Sequence, residues 1–546
     1  MKSRIPAFGT WAALLTVAAG ALALSCNNQT FGGDNDAGAG QPPDMAYNGP
    51  YTDFPAAPIL DPATGGNMQV PANAAALFGA ADSGAQTGGP CLTDPEVGAL
   101  FPRNWLRLRV HFTAPAPQNL FEIRLHAANQ TNDLVVYTSS NDWKMPADLW
   151  ASLTAHTVDQ PITITVRGAQ ITGGNIVGMP SRGTSGDITI APVAAAGSIV
   201  YWTTTSGTVL RGFKIGEETV RDVLKPAQAG ATVKCVGCHS STPDGNYVAF
   251  SRTDDAGNGD PAQIGFRSVD GLLTEPPFLT AAGRTLLARQ QQEYPTFSAA
   301  HWGTGDHVAL VMSHLGTAPY EISWIDLEAT ANTQGVGWDI LKRTGDAKGA
   351  AAAVFSHSGQ TIVYVSGNNP SSGVTLGSGD GDIYTVPYNN RQGGQAAPVA
   401  GASDPNKNEY YPAYSPDDKL IAFSSVPKGQ TSYNNSQAEV SVVPATGGTA
   451  TRLAANDPPA CTGKSSPGVI NSWPKWAPET LSYGGKQYYW ISFSSARVGA
   501  NPQLYVGGVV VENGVVKTYK AIYLWNQPPT DGNHTAAWDV FKLIIG

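Results

Sequence analysis

Between residues 100 and 194, apolar and polar residues alternate along several short segments. The alternation is clearest over residues 106–112 (LRLRVHF), 121–126 (FEIRLH) and 162–167 (ITITVR). A period of two with one polar face is typical of antiparallel strands that are buried on one side. The same region contains three tryptophans that can fill a core, Trp105, Trp143 and Trp150. Residues 100–194 are therefore predicted to form an immunoglobulin-like β-sandwich.

From residue 195 to 546 the chain repeats one unit, in which a small turn precedes an alternating apolar strand. The copies lie at residues 238–252, 294–313, 352–366, 411–425, 473–495 and, truncated, 534–546. Equivalent positions are 56 to 62 residues apart, a spacing that suits one four-stranded sheet per copy. These positions are His239, Pro295, Ala353, Pro412, Pro474 and Ala536.

The last copy is too short to make a sheet by itself. Two apolar strands without a copy of their own, IVYW (199–202) and VLRGF (209–213), precede the first complete copy. We therefore expect the C-terminal strand to join these early strands in one sheet. Such pairing closes a ring and removes an exposed sheet edge.

The copy YPAYSPDDKLIAF (411–423) resembles the Tyr-Pro-x-Phe-Ser-Pro-Asp-Gly units of TolB and related WD40-like (PD40) periplasmic proteins. The resemblance covers residues 195–546 and implies a six-bladed TolB-like β-propeller, with one blade per copy. The expected fold class is all-β, an immunoglobulin-like sandwich followed by this propeller. Because propellers host many activities, the resemblance specifies the fold rather than the function.

The residues Cys235-Val236-Gly237-Cys238-His239 form a Cys-x-x-Cys-His pentad, the attachment signature of c-type haem. In that chemistry the two thiols form thioethers with one porphyrin and the histidine binds its iron. A Cys235–Cys238 disulfide or redox pair is the main alternative. A zinc site is a weaker alternative, because no second ligand pair follows at zinc spacing. One covalent haem c held by Cys235, Cys238 and His239 is the favoured hypothesis.

The repeat register puts the pentad just before the innermost strand of its blade, at one mouth of the central channel. His534 takes the place of Gly237 in the copy that ring closure brings next to the pentad. His534 is therefore the candidate for the second axial ligand of the iron. The alternative is that His534 hydrogen-bonds the turn before its own strand.

Residues 1–26 have the features of an export signal. Lys2 and Arg4 precede an apolar run, WAALLTVAAGALAL (11–24), that is short for a membrane span. The sequence Ala23-Leu24-Ser25-Cys26 resembles a bacterial lipobox, which implies lipidation of Cys26 and, with Asn27 next, the outer membrane. Ordinary signal cleavage is the alternative, because Leu24 stands where a small residue is usual. Residues 27–49 are predicted to be a flexible linker and residues 50–99 an irregular segment.

The charge of the chain argues against one class of partner, nucleic acid. The formal charge of −9 comes from 42 acidic and 33 basic residues, and no Lys/Arg cluster is present to bind a phosphate backbone, so nucleic acid is not an expected partner.

In an oxidising compartment Cys91 and Cys461 are candidates for one disulfide, or each stays unpaired. The acidic stretch 378–382 (SGDGD) is better interpreted as a loop than as a calcium site, because it lacks the closing glutamate of an EF-hand.

Three functions stay open at this point. The first is a haem lipoprotein for electron transfer or redox sensing, facing the periplasm or the cell surface and meeting a redox partner. The second is a TolB-like scaffold that binds an envelope protein, with a structural haem or a Cys235–Cys238 disulfide. The third is a haem enzyme subunit. The sequence has no Gly-x-Ser-x-Gly or His-Glu-x-x-His motif and no catalytic group beyond the pentad, so it does not indicate an enzyme.

Overall fold

Residues 49–194 form two β-sheets that share one apolar core. The computed structural model describes residues 49–544 apart from 63–66, 206, 255–261, 290, 317–318, 369–372 and 375–379. The elements of this part are β1 (Ile59–Leu60), α1 (Ala74–Phe78), β2 (Cys91–Asp94), β3 (Leu100–Phe101), β4 (Arg109–Thr113), β5 (Leu120–Ala127), β6 (Leu134–Thr138), β7 (Asp142–Lys144), α2 (Ala147–His156), β8 (Pro161–Thr172) and β9 (Asn175–Ile190).

The alternating segments of the sequence become β4, β5 and β8. The larger sheet has the order β1-β6-β5-β8-β9-β3 and the smaller one the order β2-β4-β7. Phe112 of the smaller sheet meets Phe121 of the larger one, with ring centroids 4.8 Å apart. Trp105, Trp143 and Trp150 are buried in the same core. Each sheet thus buries one face against the other, as the alternation predicts.

Residues 50–99 are irregular over most of their length, but they also complete both sheets. β1 is an edge strand of the larger sheet, and β2 is an edge strand of the smaller one. These short strands lack an alternating pattern of useful length, which is why the sequence predicted only an irregular segment here. The segment is therefore part of the sheet structure as well as a covering layer.

The elements that follow residue 194 are mostly antiparallel strands. They are β10 (Ser198–Thr203), β11 (Val209–Lys214), β12 (Arg221–Leu224), α3 (Pro226–Ala229), β13 (Cys235–Ser241), β14 (Tyr247–Thr253), β15 (Gln263–Ser268), α4 (Ala281–Leu287), β16 (Gln292–Thr296), α5 (Ala299–Gly303), β17 (Val308–His314), β18 (Tyr320–Asp326), β19 (Trp338–Ile340), β20 (Lys342–Thr344), β21 (Gly349–Phe355), β22 (Thr361–Gly367), β23 (Gly381–Pro387), β24 (Gly393–Gln395), β25 (Ala397–Pro398), β26 (Lys407–Tyr414), β27 (Leu420–Pro427), β28 (Glu439–Pro444), β29 (Thr451–Arg452), β30 (Asn471–Trp476), β31 (Leu481–Tyr483), β32 (Lys486–Ser495), β33 (Gln503–Glu512), β34 (Val515–Thr518), β35 (Ile522–Tyr523) and β36 (Asn533–Asp539), with 3₁₀ turns at Ala454–Asn456 and Ala460–Thr462.

The strands just listed build a series of antiparallel sheets whose inner strands contact one another in cyclic order. Within the described residues, these sheets are β12-β11-β10-β36, β13-β14-β15, β16-β17-β18-β19, β21-β22-β23-β25, β26-β27-β28-β29 and β30-β32-β33-β34. We call β13, β16, β21, β26, β30 and β36 the inner strands. Each contacts the next in that order, and β36 contacts β13. The described part of the chain is all-β, with a few short helices between strands.

The two ends of this region share one sheet, as the sequence predicted. β36 pairs antiparallel with β10, from Ser198 opposite Asp539 to Thr203 opposite Asn533. β10 in turn pairs with β11, so strands from both ends complete a four-stranded sheet. This pairing joins the last strand of the region to its first strands.

A β-bulge recurs in the inner strands and marks their equivalent positions. In five inner strands of the described chain, the residue at the bulge has a φ between 48° and 61°. These residues are Tyr294, Ala352, Tyr411, Trp473 and Thr535. In β13 the bulge falls one residue earlier, between Val236 and His239, and Cys238 lacks the positive φ of its equivalents. The pentad therefore has a local backbone course that the other copies do not have.

Covalent and polar contacts join the two sheets of residues 49–194 to the sheets that follow residue 194. We call these the two groups of sheets. A disulfide links Cys91 on β2 to Cys461 in the 3₁₀ turn before β30. Arg497, after β32, forms an ion pair with Glu96 at 2.7 Å, and both side chains are buried. None of the helices in the described residues is long and apolar enough to cross a membrane. The predicted export signal (1–26), with Cys26, and the predicted linker up to residue 48 lie outside the described residues.

Candidate functional site

The inner strands surround a central channel, which an aromatic layer divides into two cavities. Trp473 lies between Tyr294 and Tyr411, with ring-centroid distances of 5.7 and 4.5 Å, and all three side chains are buried. Tyr294 borders a cavity of 220 Å³, whereas Tyr411 and Trp473 border one of 660 Å³. We refer to these as the small cavity and the large cavity.

The large cavity brings together Cys238 from β13 and His534 from β36. His534 lies opposite Trp202 of β10, and the two rings meet edge to face with centroids 4.9 Å apart. The contact between β13 and β36 holds the two residues at the same end of the channel. Their proximity depends on the shared sheet that joins the ends of the region.

Cys235 and Cys238 are both free thiols, and both are partly buried. Burial, with the Glu293 carboxylate as a smaller cause, raises the pKa of Cys238 to about 12. Burial also raises the pKa of Cys235. Because the thiolate is the nucleophilic form of cysteine, neither residue is an activated nucleophile at neutral pH.

His239 borders the small cavity, on the other side of the aromatic layer from Cys238. Its Nδ1 lies 3.2 Å from the carbonyl oxygen of Gly237, and its Nε2 lies 3.0 Å from that of Val200. Burial lowers the pKa of His239, and a neutral imidazole carries a single N–H. One ring nitrogen of His239 therefore carries no proton and faces a carbonyl oxygen. These two acceptors have no hydrogen between them in the described structure.

His534 is a neutral imidazole at pH 7. Burial, followed by the proximity of His239, lowers the pKa of His534 to about 4. The ring contacts Trp202 and has no hydrogen bond to any residue that the structure describes. Neutral imidazole is the form that binds metals, so the lone pair of His534 is available toward the large cavity.

These residues match a c-type haem in kind, but His239 is not in position for it. Two reduced thiols and two neutral imidazoles are the groups that such a haem uses. The 660 Å³ cavity beside Cys238 falls in the range of about 300–1,000 Å³ that is common for small-molecule sites. To bind iron, His239 has to leave the Val200 carbonyl and turn toward the side of Cys238. The two thiols and two imidazoles fit a haem chemically, but the backbone of β13 has to change its course locally before His239 can bind the iron.

Three further histidines of the repeat region have other partners. His301 contacts the Gly359 carbonyl, His307 pairs with Glu328 and His357 pairs with Asp418. In the described ranges no three His, Cys, Asp or Glu side chains converge as metal ligands. In the acidic stretch, Asp380 pairs with Lys348 at 2.9 Å, and residues 378 and 379 lie outside the described residues.

Sequence reasoning missed the small cavity. It is bordered by all the inner strands and contains two charged side chains, Lys475 and Asp539. The repeat alignment held a signal for both, because each replaces a residue that is small or uncharged in the other copies. That signal is visible only once the equivalent positions are known to face a common channel.

No protein-family model matches this chain, and no curated protein matches it. Solved structures do match. Hydrazine synthase from Kuenenia stuttgartiensis aligns at 12% identity and a TM-score of 0.38, covering 63% of this chain and 47% of that one. The chain thus spans about half the length of that protein.

Two further matches have similar values. An oligogalacturonate lyase in complex with manganese aligns at 11% identity and a TM-score of 0.32, covering 60% of this chain and 75% of that one. A prolyl endopeptidase aligns at 10% identity and a TM-score of 0.29, covering 60% of this chain and 48% of that one. At identities of 10–12% and TM-scores of 0.29–0.38, these likenesses say nothing about what this chain does.

Proposed function

We propose that this chain is an exported, lipid-anchored protein that carries one covalent c-type haem for electron transfer or redox sensing at the cell envelope. One observation carries the proposal. The Cys-x-x-Cys-His pentad lies on an inner strand with both thiols free, and Cys238 borders the same cavity as the neutral His534. A thioether site therefore has space beside it and a candidate iron ligand within that space.

In this proposal Cys235 and Cys238 would hold the porphyrin, and His239 and His534 would bind its iron. The bound haem supplies a one-electron couple. The protein keeps both imidazoles neutral by burial, as the lowered pKa values of His239 and His534 indicate. Trp202 packs on the edge of the His534 ring and fixes its orientation.

The finer architecture is part of the same proposal. We interpret the six sheets that contain the inner strands as the blades of a TolB-like β-propeller and residues 100–194 as an immunoglobulin-like sandwich. The cyclic contacts of the inner strands, the recurring bulge and the pairing of β36 with β10 support the propeller. The partner is then an envelope protein or redox protein, and the membrane is met through lipid at Cys26.

The test is to express the full chain in a host that matures c-type cytochromes. We expect a haem that stays on the denatured chain in a gel, at one haem per chain by its reduced pyridine spectrum. Cys235→Ser with Cys238→Ser should remove it. Cys91→Ser with Cys461→Ser is the matched control and should keep the haem, because those cysteines belong to the disulfide. A colourless wild-type protein from this host contradicts the proposal.

A scaffold with a Cys235–Cys238 disulfide is the second candidate function. It is favoured by the placement of two free thiols three residues apart on β13. Alkylation of the denatured Cys91→Ser/Cys461→Ser variant separates the cases. Haem thioethers block both thiols before and after mild reduction, whereas a disulfide yields two new alkylated cysteines after reduction only.

A further inference from the structure

We propose that the small cavity is a second binding site, for a small zwitterion that carries one ammonium and one carboxylate group. This site does not require haem: neither Cys238 nor His534 borders it, and His239, which does, supplies neither of its two charges. The proposal rests on the depth of the cavity, on the placement of two opposite charges in it and on the residues that those charges replace.

The cavity leads from a solvent-exposed rim to a buried floor. Val540 at its rim is 38% exposed, whereas Tyr294 at its floor is 3% exposed. Its 220 Å³ holds about seven waters at ~30 Å³ each, which is below the usual volume of drug-sized sites. The ligand therefore has to be small and can enter from one end of the channel.

Lys475 supplies the positive charge at one level of the ring. The equivalent positions in the other inner strands hold Ser240, Thr296, Val354, Ala413 and Ala537. Lys475 is thus the one long side chain in that ring of equivalent positions, and the small residues opposite leave the space into which it extends. Its Nζ donates a hydrogen bond to the Tyr294 hydroxyl at 2.5 Å, and no carboxylate of the described residues lies within 4 Å of it.

Asp539 supplies the negative charge two positions farther along the repeat. Its equivalents in the other inner strands and their turns are serine, threonine or alanine. Asp539 Oδ1 accepts the backbone N–H of Val540 at 2.8 Å, and its carboxylate has no ion pair with any described cation. Burial raises the pKa of Asp539 to about 6, which the Val540 N–H, His357 and Lys475 only partly offset. The group is ionised at pH 7.5 and lacks a partner of opposite charge.

Two opposite charges that face one cavity without pairing directly are complementary to a ligand that carries both. The ligand carboxylate can accept from Lys475 and from the Tyr294 hydroxyl, which already accepts from Lys475 and so directs its own proton elsewhere. The ligand ammonium can donate to Asp539. A simple anion leaves Asp539 uncompensated and a simple cation leaves Lys475 uncompensated, so each is expected to bind more weakly.

The experiment is a calorimetric titration of the full chain at pH 7.5. The probes are glycine, β-alanine and 4-aminobutyrate, which separate the two charges by increasing lengths, with propionate and propylamine as single-charge probes. We expect at least one zwitterion to bind, and both single-charge probes to bind at least about tenfold more weakly, as expected for the loss of one charged hydrogen bond. Equal binding of propionate or propylamine, or no binding of any zwitterion, overturns the proposal.

Variants locate the site. Lys475→Met and Asp539→Asn should each weaken the zwitterion at least about tenfold, whereas Lys475→Arg should retain binding. Lys542→Met, at an exposed lysine after β36, is the matched control and should bind as wild type does. If one charge-removing variant fails to fold, the other carries the test. Unchanged affinity in a folded Lys475→Met or Asp539→Asn protein refutes the assignment.

The same titration on the Cys235→Ser/Cys238→Ser protein separates this site from the haem proposal. Binding should persist in that colourless variant, because neither cysteine borders the small cavity. Loss of zwitterion binding in this variant, when it is folded, contradicts an independent site. Absence of haem in the wild type together with zwitterion binding refutes the haem proposal and leaves this one standing.

Discussion

Single residues decide how this chain responds to pH, and Glu409 is the clearest case. It is 1% exposed on β26; its Oε1 accepts the Asp404 N–H at 3.2 Å, and its Oε2 has no hydrogen bond in the described structure. Burial, reinforced by the carboxylates of Asp382 and Asp404, raises its pKa from 4.5 to about 8. The folded state therefore holds this proton more tightly than the unfolded state does.

The free energy of unfolding should accordingly fall as pH rises from about 4.5 to about 8 and then level off. The loss is about 1.4 kcal/mol for each unit by which the pKa of Glu409 differs between the folded and unfolded states. Glu409→Gln keeps the shape and removes the titration. We expect it to melt at a higher temperature than wild type at pH 9 and at nearly the same temperature at pH 4.5. Thermal unfolding by circular dichroism at both values checks this. An equal change at both pH values contradicts the assignment.

His534 is the residue on which the proposed redox role depends. If it is an axial ligand, the reduced wild-type protein should bind carbon monoxide slowly or not at all, because the sixth position of the iron is filled. His534→Ala should bind it rapidly. His301→Ala is a suitable control, since His301 contacts the Gly359 carbonyl instead of the large cavity. Fast binding in wild type and variant alike contradicts ligation by His534 and favours a sensor or an enzyme.

The sequence predicted which residue lies near Cys238, but not which cavity the side chain of His239 borders. The repeat register puts Cys238 and His534 at one mouth of the channel, and both border the large cavity. It does not predict that His239 borders the small cavity. The apolar pattern is the same whether the extra residue of a bulge falls before or after Cys238, yet that position sets which way the neighbouring side chains point.

At the scale of elements, β36 connects the two groups of sheets. It pairs with β10, and its Trp538 donates a hydrogen bond to the Ala196 carbonyl at 2.8 Å. The Trp538 ring also lies 6.0 Å from that of Trp105, which belongs to the core of the first two sheets. Pairing of the last strand with the first ones could be predicted because both lacked a complete unit. The contact with Trp105 could not, because no sequence pattern links the two regions.

Trp538→Ala should therefore cost stability in both regions at once. We expect a loss of about 3–5 kcal/mol, the usual range for truncating a buried tryptophan. Trp338→Ala on β19 is the control, because Trp338 is only partly buried and should lose less. Urea unfolding followed by circular dichroism measures both. A loss no larger than that of the control contradicts a joining role for β36.

At the scale of the whole molecule, the two groups of sheets are coupled by buried charge as well as by shared core. Arg497 donates to Glu96 Oε1 at 2.7 Å, to the Ala455 carbonyl at 2.6 Å and to Asn471 Oδ1 at 2.9 Å. Glu96 belongs to the segment that the sequence predicted only as irregular, so this coupling could not be foreseen from strand patterns. Removing one partner of a buried pair leaves the other without compensation, which typically costs about 3–5 kcal/mol.

The disulfide between Cys91 and Cys461 adds a covalent link across the same boundary, between residues 370 positions apart. The ion pair of Arg497 with Glu96 crosses the same boundary, so separation of the two groups of sheets has to break both. Oxidised wild-type protein should therefore unfold in one calorimetric transition. Cys91→Ser with Cys461→Ser should unfold at a lower temperature, because the unfolded chain loses a cross-link between residues 370 positions apart. It should still unfold in one transition, because one apolar core contains residues of both groups of sheets. Cys235→Ser with Cys238→Ser, measured without haem, controls for the loss of two cysteines. A single transition at the wild-type temperature after removal of the disulfide contradicts this coupling and leaves the shared core around Trp105 and Trp538 as its cause.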